Sequence, residues 1–101
     1  MAIQFITDNK FEDKLTNDIT IVNFFADWCG PCQMFAGVLE ELEAKGNVKV
    51  IKLNVDMNQE AANKSGVSGI PASFIYKDKK IVDEITGFLP LEVLEDRLSN
   101  F

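Results

Sequence analysis

The sequence predicts an α/β protein: a three-layer αβα sandwich with a central mixed sheet of about five strands, flanked by four helices in the order βαβαβαββα. Three observations lead there. Strand-like and helix-like patterns alternate along the first two-thirds of the chain. The run from Ile19 to Ala26, rich in β-branched and aromatic residues, is followed after a short loop by an apolar stripe at helical spacing. Near the C-terminus two strand-like segments flank a two-residue polar turn, which adds an antiparallel hairpin to a parallel core.

Taken in order, Ala2 to Ile6 reads as a short strand. A helix is expected from about Asp8 to Leu15, with Thr7 or Asp8 as its cap and Phe11 and Leu15 four apart on one face. Ile19 to Ala26 is a buried strand. From Pro31 to about Lys45 the residues Cys32, Phe35, Ala36, Leu39 and Leu42 form a helical stripe, framed by Pro31 in the first turn and Gly46 past the end. Val48 to Val55 is the next strand, and Gln59 to Lys64 a short polar helix ending near Gly66. Ser73 to Tyr76 and Lys80 to Thr86 are strands around an Asp78-Lys79 turn. The last helix opens with Pro90 at its first position and buries Leu91, Leu94, Leu98 and Phe101.

The 101 residues are expected to form a single domain, residues 1–101, and their 47% hydrophobic content is enough for a core without staples. A net charge of −6 argues against nucleic acid or an anionic membrane as partner. The start Met1-Ala2-Ile3-Gln4 lacks a signal-peptide pattern, and the longest apolar run is too short for a membrane span. A soluble, cytoplasmic protein is expected. The chain has no histidine, so His-based triads, Cys-His dyads and His-ligated metals are excluded.

The two cysteines, Cys29 and Cys32, stand three apart. A bridge between them closes almost no loop and removes little unfolded-state entropy, so it is a poor staple. Chemistry, metal and chance remain. Zinc wants four ligands, and the chain has neither histidine nor a second cysteine pair to supply them. The chemical reading has a physical basis. The pair sits where a strand hands over to a helix, with Cys29 at the helix N-terminus, whose free N–H groups and dipole favour a thiolate. Cys32 lies one turn on, on the same face, within the apolar stripe. That asymmetry makes Cys29 the attacking thiol and Cys32 the buried resolving thiol of a disulfide exchange. Gly30 lets a partner backbone approach, and Pro31 stiffens the turn.

The run Ala26-Asp27-Trp28-Cys29-Gly30-Pro31-Cys32 resembles the active-site signature of the thioredoxin family. Lys52-Leu53-Asn54-Val55-Asp56, Gly66-Val67-Ser68-Gly69-Ile70-Pro71 and Gly87 match that family in order and spacing, so the resemblance covers the whole chain. It implies the thioredoxin fold and a protein-disulfide reductase or dithiol electron carrier in cell redox homeostasis. The expected partners are oxidised protein substrates and a recharging thioredoxin reductase. The Cys29–Cys32 couple is then the redox centre, with no cofactor and no metal, in a monomer. The resemblance also makes Pro71 cis and facing the cysteines, leaves the Ile70 backbone free to pair with an extended substrate, and places Trp28, Thr86, Gly87 and Phe88 around the groove. A binding module using the same groove, or a carrier dedicated to one partner, are the competing functional classes.

The chain departs from the family pattern at Asn23, where a buried Asp is usual. An Asn amide cannot carry a proton to or from Cys32. Activity is expected to be retained, with a slower resolving step. Lys52, the other buried tuning position, loses its usual partner and is expected to reach solvent past its alkyl stem. Gly37, Ala72, Phe25 and a hairpin turn without glycine are milder departures.

Overall fold

The computed structural model describes residues 3–101. The strands are β1 (Gln4–Ile6), β2 (Thr20–Phe25), β3 (Lys49–Asn54), β4 (Ala72–Lys77) and β5 (Lys80–Thr86). The α-helices are α1 (Gly30–Ala44), α2 (Gln59–Lys64) and α3 (Leu91–Leu98). They build one five-stranded sheet in the order β1-β3-β2-β4-β5. The first three strands are parallel, and β4 and β5 are antiparallel additions.

Alternation along the strands divides the core into two layers. Val22, Phe24, Ile51, Leu53 and Phe74 face α2 and the segment around Phe11, where Ala61, Ala62 and Leu15 complete the packing. Ile21, Val50, Ile75 and Ile85 face Phe35, Leu39 and Leu42 of α1 and Leu94 and Leu98 of α3. The α1 face also carries a polar row. Lys52, Asn23 and Ser73 are register partners across β3, β2 and β4, so their side chains share the side of the sheet that α1 covers.

Three expectations are corrected. The helix expected from Asp8 to Leu15 is a single 3-10 turn, Phe11–Lys14, so three α-helices and this turn stand in place of four helices. Asn9 adopts a left-handed φ of 65°, and the Lys10 N–H bonds to the Asp8 carboxylate at 3.0 Å. That turn consumes the residues that would start a helix. Phe11 and Leu15 are both buried nonetheless. Pro90 is the N-cap of α3 rather than its first helical residue, with an extended ψ of 155°. Finally, β1 begins at Gln4, and Ala2 lies outside the described residues.

The β4–β5 turn manages without glycine because Asp78 and Lys79 both take left-handed φ values, 53° and 66°. That pair of conformations matches the right-handed twist of the flanking strands.

Candidate functional site

The C-terminal end of β2 delivers the chain into a tight turn. Ala26 is buried, and its carbonyl accepts the Cys29 N–H at 3.3 Å. Cys29 is the N-cap of α1, with extended backbone, and Pro31 in the first turn gives up no needed N–H. Cys29 and Cys32 form a disulfide, with their Cα atoms 5.2 Å apart.

Both cysteines are buried, Cys29 at 6% and Cys32 at 4% exposure, so burial does not separate them as the sequence suggested. Their polar surroundings do. The Cys29 sulfur accepts the Cys32 backbone N–H at 3.3 Å, in the position of a capping side chain. It also lies 3.9 Å from the Ile70 carbonyl oxygen. A thiolate at Cys29 therefore meets a fixed donor and the positive end of α1, whereas Cys32 belongs to a small buried cluster with Ala26, against which Phe25, Val55 and Ile70 pack.

The Ile70–Pro71 peptide is cis. Pro71 is buried, and its carbonyl accepts the Gly87 N–H at 2.8 Å. Gly87 has a φ of 82°, which explains glycine there. Trp28 is 72% exposed, yet its indole N–H is held by Asp56 at 3.0 Å. Trp28 and Ile70 line one cleft of about 500 Å³ with Val55, Ala62, Val67 and Gly69. Thr86 does not reach this cleft; it lines a smaller pocket shared with Ser68 and Gly69. Phe88 packs edge-on to Phe35 at 6.1 Å and is exposed. Gly30 and Pro31 are exposed.

A second cavity, about 280 Å³, opens beside Cys32 and is lined by Phe25, Ala26, Asp27, Gln33, Ala36 and Lys52 as well. Lys52 does not extend into solvent; it is 6% exposed. Its ammonium lies 4.5 Å from the centroid of the Phe25 ring and 5.6 Å from that of Phe5. Aromatic faces take the place of a carboxylate, and that attraction is what holds the amine inward. Burial pushes its pKa below the usual lysine value, against the opposing pull of Glu40. Asn23 is buried and neutral, and its amide donates to the Ser73 hydroxyl at 3.0 Å.

Sequence reasoning missed Asp56 and Asn58. Asp56 stands in a stretch whose family likeness was visible, but nothing local tied it to Trp28. Asn58 is fully buried, accepts the Asn9 N–H at 3.0 Å and donates to the Ile6 and Asn54 carbonyls at 2.8 and 3.0 Å. Asn9 answers by accepting the Ala61 N–H of α2 at 2.9 Å, a cap supplied from 52 residues away. Among the described residues no cluster of three or more Cys, Asp or Glu is placed to hold a metal ion, and no helix is long and apolar enough to cross a membrane.

Known proteins share this arrangement. The profile of the thioredoxin family matches residues 2–100. Thioredoxin of Staphylococcus saprophyticus is 43% identical over 98 residues, covering 95% of this chain and 94% of its own. Thioredoxin of Bacillus subtilis is 42% identical over the same coverage, and that of Staphylococcus aureus is 44% identical over 100 residues, 97% of this chain and 96% of its own. A mutant thioredoxin from Halobacterium salinarum superimposes with a TM-score of 0.89 at 32% identity, covering all of this chain and 95% of its own. The paired sulfurs at the head of α1 and the likeness along the whole chain have one explanation: the protein belongs to the thioredoxin family of thiol-disulfide oxidoreductases.

Proposed function

We propose that the protein is a dithiol carrier that reduces disulfides of other proteins, with Cys29 as nucleophile and Cys32 as resolving thiol. The observation that carries the assignment is the Cys32 N–H on the Cys29 sulfur, a donor that stabilises charge on one sulfur of the pair. In the reduced protein the Cys29 thiolate attacks a substrate disulfide. One substrate sulfur leaves with the electron pair and takes a proton from water, and a mixed disulfide remains. Cys32 loses its proton, attacks the Cys29 sulfur and expels the second substrate thiolate, which is protonated by water. The substrate gains two electrons and two protons; the protein ends as the Cys29–Cys32 disulfide.

Trp28, Gly30, Pro31, Ile70, Pro71, Thr86, Gly87 and Phe88 serve as the surface against which an extended substrate segment lies. The Ile70 carbonyl, beside the Cys29 sulfur, is the backbone group best placed to pair with it. A thioredoxin reductase returns the disulfide to the dithiol. The domain works alone, as a monomer in the cytoplasm and without a cofactor.

The test is the reduction of insulin disulfides. Wild type turns over, Cys29→Ser is inactive, and Cys32→Ser accumulates a covalent complex with its substrate through Cys29. Turnover by Cys29→Ser, or trapping through Cys32 in preference to Cys29, defeats the assignment.

A further inference from the structure

The cleft of about 500 Å³ beside the cysteine pair is lined by Trp28, by the apolar Val55, Val67 and Ile70, and by the exposed amides Gln59 and Asn63. It adjoins the attacking sulfur. Trp28 is the chain neighbour of Cys29, and the Ile70 carbonyl oxygen lies 3.9 Å from the Cys29 sulfur. None of the residues lining the cleft is charged, but a carboxylate is fixed next to it. Asp56 follows Val55 in the chain, is exposed, and accepts the Trp28 indole N–H on Oδ2 at 3.0 Å. Among the described residues nothing donates to its Oδ1, and no cation pairs with it; the ion pairs are Lys45–Glu95 and Arg97–Asp83. Asp27, also exposed, precedes Trp28, whereas Glu60 and Lys64 stand four apart on α2 and add no net charge. The bond to Asp56 also fixes the orientation of a ring that is 72% exposed. A held indole is the aromatic face that cations favour most. Carboxylate and ring are separate attractions for a cation, and the apolar part of the lining suits the methylene stem of a long basic side chain.

We propose that this cleft is a specificity subsite for a basic side chain, arginine above all, close to the disulfide of the protein substrate, with Asp56 as the residue that sets the preference. This rests on the reading of Cys29 as the nucleophile toward protein disulfides. An extended segment paired with the Ile70 backbone advances about 3.3 Å per residue, so a side chain one or two residues from the attacked cysteine comes over the cleft. Its guanidinium donates to the open Oδ1 of Asp56 and stacks on Trp28, while its stem lies along Val55 and Val67. An acidic side chain in that place meets Asp56 and Asp27 and is repelled. The net charge of −6 adds a weaker, general attraction for cationic partners. The thiol–disulfide exchange is untouched; the cleft decides which disulfides reach Cys29 fastest.

The test compares peptides that share one intramolecular disulfide and differ only at the residue two away from a cysteine: arginine, its neutral isostere citrulline, or glutamate. Reduced protein is mixed with each, the reaction is quenched in acid, and chromatography gives the second-order rate constant. At low ionic strength wild type is expected to reduce the arginine peptide about fivefold faster than the citrulline peptide, and the glutamate peptide about threefold slower. In about 1 M salt the arginine advantage shrinks to about twofold, because the charge on Asp56 is screened. Asp56→Asn keeps an oxygen for the indole N–H and removes the charge, and its arginine-to-citrulline ratio falls below about twofold. Glu60→Gln removes the same charge outside the cleft and keeps the full ratio, which separates the subsite from general attraction. The wild-type comparison across salt stands without any variant, should Asp56→Asn fold poorly. Equal rates for arginine and citrulline in wild type overturn the proposal while leaving the dithiol reading intact. So does a ratio that survives in Asp56→Asn, or one that Glu60→Gln abolishes as fully. Failure of wild type to reduce any of the peptides overturns both.

Discussion

Replacing Asn58 with alanine tests the long-range cap that fixes the wall of the cleft. The side chain is fully buried and makes three hydrogen bonds, to the Ile6 carbonyl, the Asn54 carbonyl and the Asn9 N–H. Asn54 keeps the Met57 and Asn58 N–H groups as donors, so its loss is small. The Ile6 carbonyl, in a buried contact, loses a donor, which costs about 1–3 kcal/mol. The Asn9 N–H is partly buried and finds water, at a net cost of about 0.5–1.5 kcal/mol. The sum centres on about 3 kcal/mol. For a domain of this size that lowers Tm by about 12–24 °C. Urea melts followed by circular dichroism measure it, with an unchanged m-value showing that the folded state is otherwise intact. Asn9 loses its tether, so the cap on Ala61 weakens as well, and amide exchange should accelerate first in α2. A loss below about 1 kcal/mol refutes the reasoning, because it would mean that the Ile6 carbonyl was satisfied without Asn58.

Phe35→Ala should cost about 3–5 kcal/mol, since the ring is fully buried and packs against Phe88; denaturant melts give the value, and near-UV spectra should show Phe88 loosened. The Asp83 carboxyl is held below its usual pKa by the Arg97 hydrogen bonds. Its contribution is therefore present above the unfolded pKa and lost as pH falls through the folded one. Asp83→Asn should flatten that acid limb of stability and do little else, the pair being partly exposed to solvent. Lys52 gives a dependence of the same sign in the alkaline range. Its folded pKa lies below the unfolded value, so the unfolded chain holds more protons between the two, and stability rises with pH across that alkaline window. Tyr76, pushed up by burial and by Glu12, works the other way, so the rise appears as a wild-type minus Lys52→Met difference in melts taken in that window.

Most of the fold was legible because its signals are local. Gln59–Lys64 and Lys80–Thr86 fall where composition and turn residues placed them, and β2, β3 and α1 differ from the sequence reading by about a residue at each end. The first helix was misread because Asn9 serves a distant partner: its left-handed backbone and side chain are committed to Asn58 and α2, a demand that spacing cannot reveal. The site divides along the same line. The cysteine pair and its helix terminus are contiguous in sequence, and so were found. The fate of Lys52 depends on register, which sets Phe5 beside it on one strand and Asn23 on the other, with Phe25 two residues beyond Asn23 on the same face. Judged alone, a lysine in an apolar strand should send its amine to water. Judged with those neighbours, it has aromatic faces to rest on.

That register also explains why Asn23 changes the site without dismantling it. A carboxylate beside Lys52 gives a row of no net charge and a group able to take a proton from Cys32, but its own negative charge opposes a second anion nearby. An amide removes the acceptor and the opposition together. Ser73 accepts from the amide, so among the described residues no buried side-chain polar atom is left without a partner, and the row keeps one positive charge.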